Sequence, residues 1–152
     1  MGNREKRPKE EAEVKWGRIL NKSVFLTFLD LEVKRARRYQ NFLSILILKL
    51  NALSKDDGGD LQTCYQMMAN LLTEEIRESD IIGHLSKDMV GVLLPYADVS
   101  AGSVAKSRFE DTLKCCDFKC KGYEVTIDQV SFPMHGTSNV SLMEKVFEGK
   151  RS

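Results

Sequence analysis

RESDIIGHLSKDMVGVLLP, Arg77 to Pro95, reads as a helix end, a short strand, a tight turn and a second strand. The first strand is Ile81 to Leu85, the turn Ser86-Lys87-Asp88, and the second strand Met89 to Leu94. Pro95 ends the run because it has no N–H to give to a ladder. A hairpin this apolar belongs in a core, so its turn is displayed on a fixed scaffold. As catalytic apparatus that turn is poor. It offers one carboxylate, Asp88, between Lys87 and the apolar Met89.

Working outward, Leu43 to Leu50 (LSILILKL) is a near-continuous apolar run, the pattern of a central strand covered on both faces. Asn51 to Gly59 is a polar loop, and Asp60 caps a helix running to about Ser79. Leu61, Cys64, Met67, Met68, Leu71, Leu72 and Ile76 form its stripe. The methionine pair fits a core better than a cofactor box. Beyond the hairpin, Asp98 or Ser100 opens a helix through about Cys115, with Val104, Ala105, Phe109 and Leu113 inward. Tyr123 to Phe132 is a strand, and Asn139 or Ser141 starts a short last helix, Leu142 to Phe147. Upstream, Asn21 caps a helix through Gln40. Val24, Phe25, Phe28, Leu29, Glu32 and Val33 give it one face, and Lys34, Arg35, Arg37 and Arg38 make its end basic. A helix dipole accounts for one or two of those cations, not four. With the first helix set aside, the order is β-α-β-β-α-β. That is the ferredoxin-like α+β topology, an antiparallel sheet with two helices on one face.

The 152 residues are 42% hydrophobic and 30% charged with a formal net charge of +1, an ordinary globular composition for one domain. Residues 1–13 are a charged extension and residues 14–152 the domain. The balanced charge gives no field to draw nucleic acid or a membrane surface. No apolar run is long enough to span a bilayer, and MGNREKRPKEEAE lacks the apolar centre of a secretory signal, so a cytoplasmic location is expected. Lys6 stands where a myristoylation signal wants Ser or Thr. Cys64, Cys115, Cys116 and Cys120 lack the paired CxxC spacing of a zinc site and read as reduced thiols. His84 reads as structural, and His135 has no legible catalytic partner. LSILILKL carries no aromatics for an RNA-binding sheet.

The order of elements and several segments resemble the GGDEF domain, the fold of bacterial diguanylate cyclases. The resemblance runs from about Trp16 to Gly149. It rests on NKSVFLTFLDLEVKRARRYQNFLSILIL, with its RARRY tail, and on DIIGHLSKDMVGVLLP. Ser86-Lys87-Asp88-Met89-Val90 stands where the signature would be. Ser86 and Lys87 replace the glycines that let backbone approach a nucleotide. Asp88 matches a metal-binding carboxylate, but Met89 replaces the glutamate. Lys49, at the end of the first strand, puts a cation where the family's Mg²⁺ is held, and Mg²⁺ needs oxygen ligands. The loop carrying the family's guanine-reading asparagine is shortened to SKDDGG, although Asp60 matches the aspartate after it. Lys150-Arg151 fall near the late phosphate-binding basic residues. Phosphoryl transfer depends on charge neutralisation and positioning. The resemblance therefore implies a degenerate domain with no catalytic residues, no bound metal and no cyclase activity.

It also implies a second site. The family's inhibitory site for cyclic di-GMP has the signature RxxD, five residues before the signature turn. Arg77-Glu78-Ser79-Asp80 is followed by Ile81 to Leu85 and then Ser86. Arg108 matches a further arginine from the helix after the hairpin, and Arg35 a secondary arginine from the end of the opening helix. Guanidiniums grip phosphate bidentately and stack on bases, and a carboxylate can accept from the guanine edge. Taken singly, each residue has a plainer reading: Arg77 and Asp80 as a surface pair worth ~0.5 kcal/mol or less, Arg108 and Arg35 as solvated helix residues. Two functions follow. One is a catalytically inactive receptor for cyclic di-GMP through Arg77, Asp80, Arg108 and Arg35, with a protein partner in a bacterial signalling pathway and a possible ligand-linked dimer. The other is an interaction domain that binds no nucleotide.

Overall fold

The computed structural model describes residues 19–53 and 60–133. Strands β1 (Ile19–Leu20), β2 (Leu43–Ala52), β3 (Ile81–Ser86), β4 (Met89–Pro95) and β5 (Tyr123–Phe132) form one sheet in the order β1-β3-β4-β2-β5. Helices α1 (Lys22–Tyr39), α2 (Leu61–Glu75) and α3 (Val99–Leu113) pack on it. The apolar run 43–50 becomes β2, antiparallel to both β4 and β5. Its alternate side chains supply two cores. Leu46, Leu48 and Leu50 meet Cys64, Met68 and Leu72 of α2 and Phe109 and Leu113 of α3. Leu43, Ile45 and Ile47 meet Phe25, Leu29 and Val33 of α1. The βαββαβ unit is therefore as expected, with α1 covering the face that α2 and α3 leave.

The sheet is mixed rather than wholly antiparallel. Ile19 and Leu20 pair in parallel with Ile82 and Gly83 of β3. Two residues carry no periodicity, so no sequence pattern announces them. Asn21 follows at once and caps α1, its side chain accepting from Val24 N at 2.9 Å. The buried line on α1 is Phe25, Leu29, Val33 and Ala36. Val24 and Phe28, expected on that face, are 37% and 39% exposed, and Glu32 is only half-buried. They lie one helical step off the buried line.

Helix α2 stops at Glu75, short of the expected Ser79, because Ile76 turns extended (φ −73°, ψ 150°) and stays buried. Asp98 is the cap of α3, accepting from Ala101 N at 2.8 Å. Val104 is 68% exposed, against expectation, and Gly102 takes the inward place beside Ala105, Phe109 and Leu113. That helix ends at Leu113 rather than near Cys115. The hairpin runs one residue further than expected, with a bulge between His84 and Ser86 and Lys87-Asp88 at its tip. Gly83 lies against Phe25 so closely that a Cβ there would strike the ring. Cys64 is buried, Cys116 intermediate, and Cys115 and Cys120 exposed, all as free thiols. Among the described residues no helix is long and apolar enough to cross a membrane. The extension 1–13, His135, the last helix and Lys150-Arg151 lie outside the described residues.

Candidate functional site

Between the end of α2 and the start of β3 the chain folds back on itself. Asp80 N donates to Arg77 O at 3.0 Å, and Arg77 N donates to Asp80 Oδ2 at 2.9 Å. The reciprocal pair fixes the Arg77–Asp80 turn and leaves Asp80 only 8% exposed. A buried carboxylate needs such donors, and the turn's own backbone supplies one. Opposite stands α3. Arg77, Ser79 and Asp80 from the turn, Leu94 and Pro95 from β4, and Ala105 and Arg108 from α3 line a cleft of about 340 Å³.

The sheet holds α3 at that position through a polar seam. Ser44 Oγ meets Ala97 O at 2.9 Å, Asp98 O at 3.2 Å and Ser131 Oγ at 2.8 Å. Gln129 Nε2 donates to Val99 O at 2.9 Å. Only glycine at 102 lets the helix come this near: a Cβ there would stand 2.7 Å from Ser44 Oγ.

Arg108 Nε lies 3.5 Å from Glu75 Oε1, an ion pair by distance. The same Nε is sealed from solvent and makes no hydrogen bond. The charges are near, but the N–H is not aimed at the oxygen. With both side chains about one-third exposed, this contact is a weak tie, worth ~1 kcal/mol at most. The guanidinium carbon also lies 5.1 Å above the Phe109 ring. Two guanidiniums, one buried acid and apolar walls suit an anion that carries a planar, hydrogen-bonding ring.

Three of the four expected site residues thus line one cleft, and the fourth does not. Arg35, on α1, pairs with Glu32 at 3.4 Å and lines a shallow groove with Ala36, Asn41, Phe42 and Tyr96. Tyr96, which sequence reading passed over, is 59% exposed and has φ 66°. Its only sequence signal is an aromatic directly after the strand-ending Pro95.

The hairpin tip is arranged differently. Ser86 Oγ donates to Asp88 Oδ1 at 2.7 Å, and Asp88 O accepts from Leu50 N at 2.9 Å. Met89 is buried in the α1 core and faces Lys49 across the β2–β4 ladder. A magnesium ion needs a set of oxygens. Here one carboxylate, already bonded within the turn, stands near a lysine and a thioether, so these residues do not fit that ion. Asp60 is spent as the cap of α2, accepting from Thr63 N at 3.1 Å and from Thr63 Oγ1. Those two bonds hold its carboxyl below the usual range. Tyr65, also missed in the sequence, bonds His84 Nδ1 at 2.5 Å beside an apolar groove that Ile19, Leu20, Leu61 and Lys87 also line. Burial, then the charge of Asp88, pushes the Tyr65 phenol up.

Comparison with known proteins agrees with the architecture. The family model described as diguanylate cyclase, GGDEF domain, matches residues 16–139. Among curated protein sequences, none matches the chain. Solved structures do. A diguanylate cyclase protein from Thermotoga maritima is 18% identical, with 88% of this chain and 97% of that one covered and a TM-score of 0.73. The GGDEF domain of DgcB from Caulobacter crescentus, in complex with c-di-GMP, is 13% identical, covering 88% and 84%, with a TM-score of 0.67. The diguanylate cyclase SiaD from Pseudomonas aeruginosa, in complex with its activator SiaC, is 12% identical, covering 97% and 66%, with a TM-score of 0.61. At these identities the structures speak for the fold, and the family match for kinship. The chain belongs to the diguanylate cyclase GGDEF domain family, the domains of cyclic di-GMP signalling.

Proposed function

We propose that this domain is a catalytically inactive receptor for cyclic di-GMP, with Arg77, Asp80 and Arg108 as the binding residues. The observation that carries the reading is their convergence, from a turn and a distant helix, on one cleft of about 340 Å³. The ligand's phosphates meet the two guanidiniums, and the Asp80 carboxylate accepts from a guanine edge. The bound DgcB domain makes cyclic di-GMP the natural ligand to test. Arg35, outside the cleft, meets the ligand from the neighbouring groove or from a second copy linked through the ligand. Inactivity rests on the hairpin tip: Lys49 opposite Met89, with Asp88 alone. Neither metal nor general base is supplied there.

Calorimetric titration with cyclic di-GMP tests the reading. Saturable binding by the wild type, lost in Arg77→Ala at an unchanged melting temperature, is the expected result. No heat at tens of micromolar from folded protein would remove the receptor.

A second reading is an interaction domain independent of nucleotide. Val24, Phe28 and Leu31 favour it, being exposed at helical spacing on α1. The basic end of α1 and the hairpin tip are its further contact points. SiaD, held by a protein activator, shows that a member of this family can take a protein partner. A partner whose capture ignores added cyclic di-GMP would favour this reading.

A further inference from the structure

Consecutive residues line the cleft and the Arg35 groove, which makes a corner of the chain between them. Pro95 and Ala97 line the cleft, while Tyr96, between them, lines the groove with Arg35 and Phe42. Tyr96 and Phe42 are 59% and 48% exposed, so two large rings face solvent at the edge of an anion-gripping site. Tyr96 also holds φ 66°, a left-handed backbone that β-carbon sterics disfavour and that glycine or asparagine would adopt more readily. An exposed aromatic kept in a strained backbone directs attention to what the ring does. Burial does not explain it, since the ring is not in either core.

Resting on the receptor reading above, we infer that Tyr96, with Phe42 and Arg35, forms a base-stacking ledge beside the cleft. One purine of the dinucleotide lies against the Tyr96 ring while its phosphates are held by Arg77 and Arg108. Aromatic rings take bases through their faces whatever the base, and guanidinium planes do the same. The ledge accordingly gives affinity, while Asp80 on the other side of the corner supplies the reading of guanine. This gives Arg35 a place in the site without requiring it to enter the cleft.

The test is titration of the full chain with cyclic di-GMP for the wild type, Tyr96→Phe and Tyr96→Gly, with melting temperatures measured alongside. Glycine at φ 66° carries no steric penalty, so Tyr96→Gly removes the ring without straining the fold. Tyr96→Phe binds like the wild type. Tyr96→Gly binds about five- to a hundredfold more weakly, the loss expected for one stacked base, at a melting temperature equal to or above the wild type. If Tyr96→Gly binds as the wild type does, the ledge is wrong and the receptor stands. If Tyr96→Gly melts several degrees lower, the ring is structural and the ledge is again wrong. If the wild type does not bind, receptor and ledge fall together.

Discussion

Replacing Gly102 by alanine strikes at the seam that sets the cleft. The new Cβ would stand 2.7 Å from Ser44 Oγ and 3.0 Å from Ser44 Cβ, and nearer still to Gln129 Nε2. The Gln129 amide can swing away at the loss of its bond to Val99 O. Ser44 cannot: it is fully buried on the central strand and its hydroxyl is bonded to Ala97 O and Ser131. Overpacking costs about 1–3 kcal/mol. Orphaning one of these buried polar groups adds about 1–3 kcal/mol. The better helix propensity of alanine returns about 1 kcal/mol. The net is a loss of roughly 1–5 kcal/mol, centred near 3, and a loss of about 3 kcal/mol lowers the melting temperature of a domain of this size by about 6–12 °C. Displacing the helix also moves Arg108, about 9 Å further along its axis, so cyclic di-GMP should bind more weakly than stability alone would predict. Thermal melts followed by circular dichroism read the first effect and titration the second. Ser107→Ala, on an exposed face of the same helix and outside the cleft lining, is the control and should stay within about 0.5 kcal/mol of wild type. A Gly102→Ala protein that melts like its parent would show that α3 does not depend on this close approach.

Other outcomes follow from the same geometry. Phe25→Ala, which empties the space under Gly83 in the α1 core, should cost about 3–5 kcal/mol in urea unfolding. Cys64, raised by burial, and Tyr65, raised by burial and Asp88, start from ordinary values of 9.0 and 10.0. Both are held neutral in the folded state, so their contribution is full below those values and is lost as pH climbs above them. Urea midpoints taken across pH 8 to 11 should fall progressively, and less in Tyr65→Phe. GTP incubated with the protein and Mg²⁺ or Mn²⁺ should yield no cyclic di-GMP by chromatography. Product that disappears in Asp88→Ala would overturn the reading of Lys49 and Met89.

Much of this fold is legible in the chain because its strongest signals are local. LSILILKL announces a strand buried on both sides, and Asn21, Asp60 and Asp98 mark three helix starts that the structure keeps. The parallel strand Ile19–Leu20 was not legible, since its partner is more than sixty residues away and two residues form no pattern. Val24, Phe28 and Val104 mislead because helical periodicity fixes a stripe's spacing but not its rotation. Gly102 and Ala36, small residues, hold inward places that hydrophobicity alone gives to larger neighbours. For the site, the family resemblance carried Arg77, Asp80 and Arg108 as far as sequence allows. What it could not convey was that α1 lies across the sheet from α2 and α3, which sets Arg35 in another groove. Nor could it show Tyr96, whose interest comes from one backbone angle.

Strand β2 gives three side chains to each core. Its amides are paired on both flanks, to β4 and to β5. Neither helical layer can therefore be stripped off without laying bare one side of the same strand. A domain hung this way has little room for a half-melted form. Its innermost amide protons should exchange with solvent only when the whole molecule comes apart. Under the receptor reading, ligand in the cleft acts through movement of the turn and α3 over a sheet that stays intact.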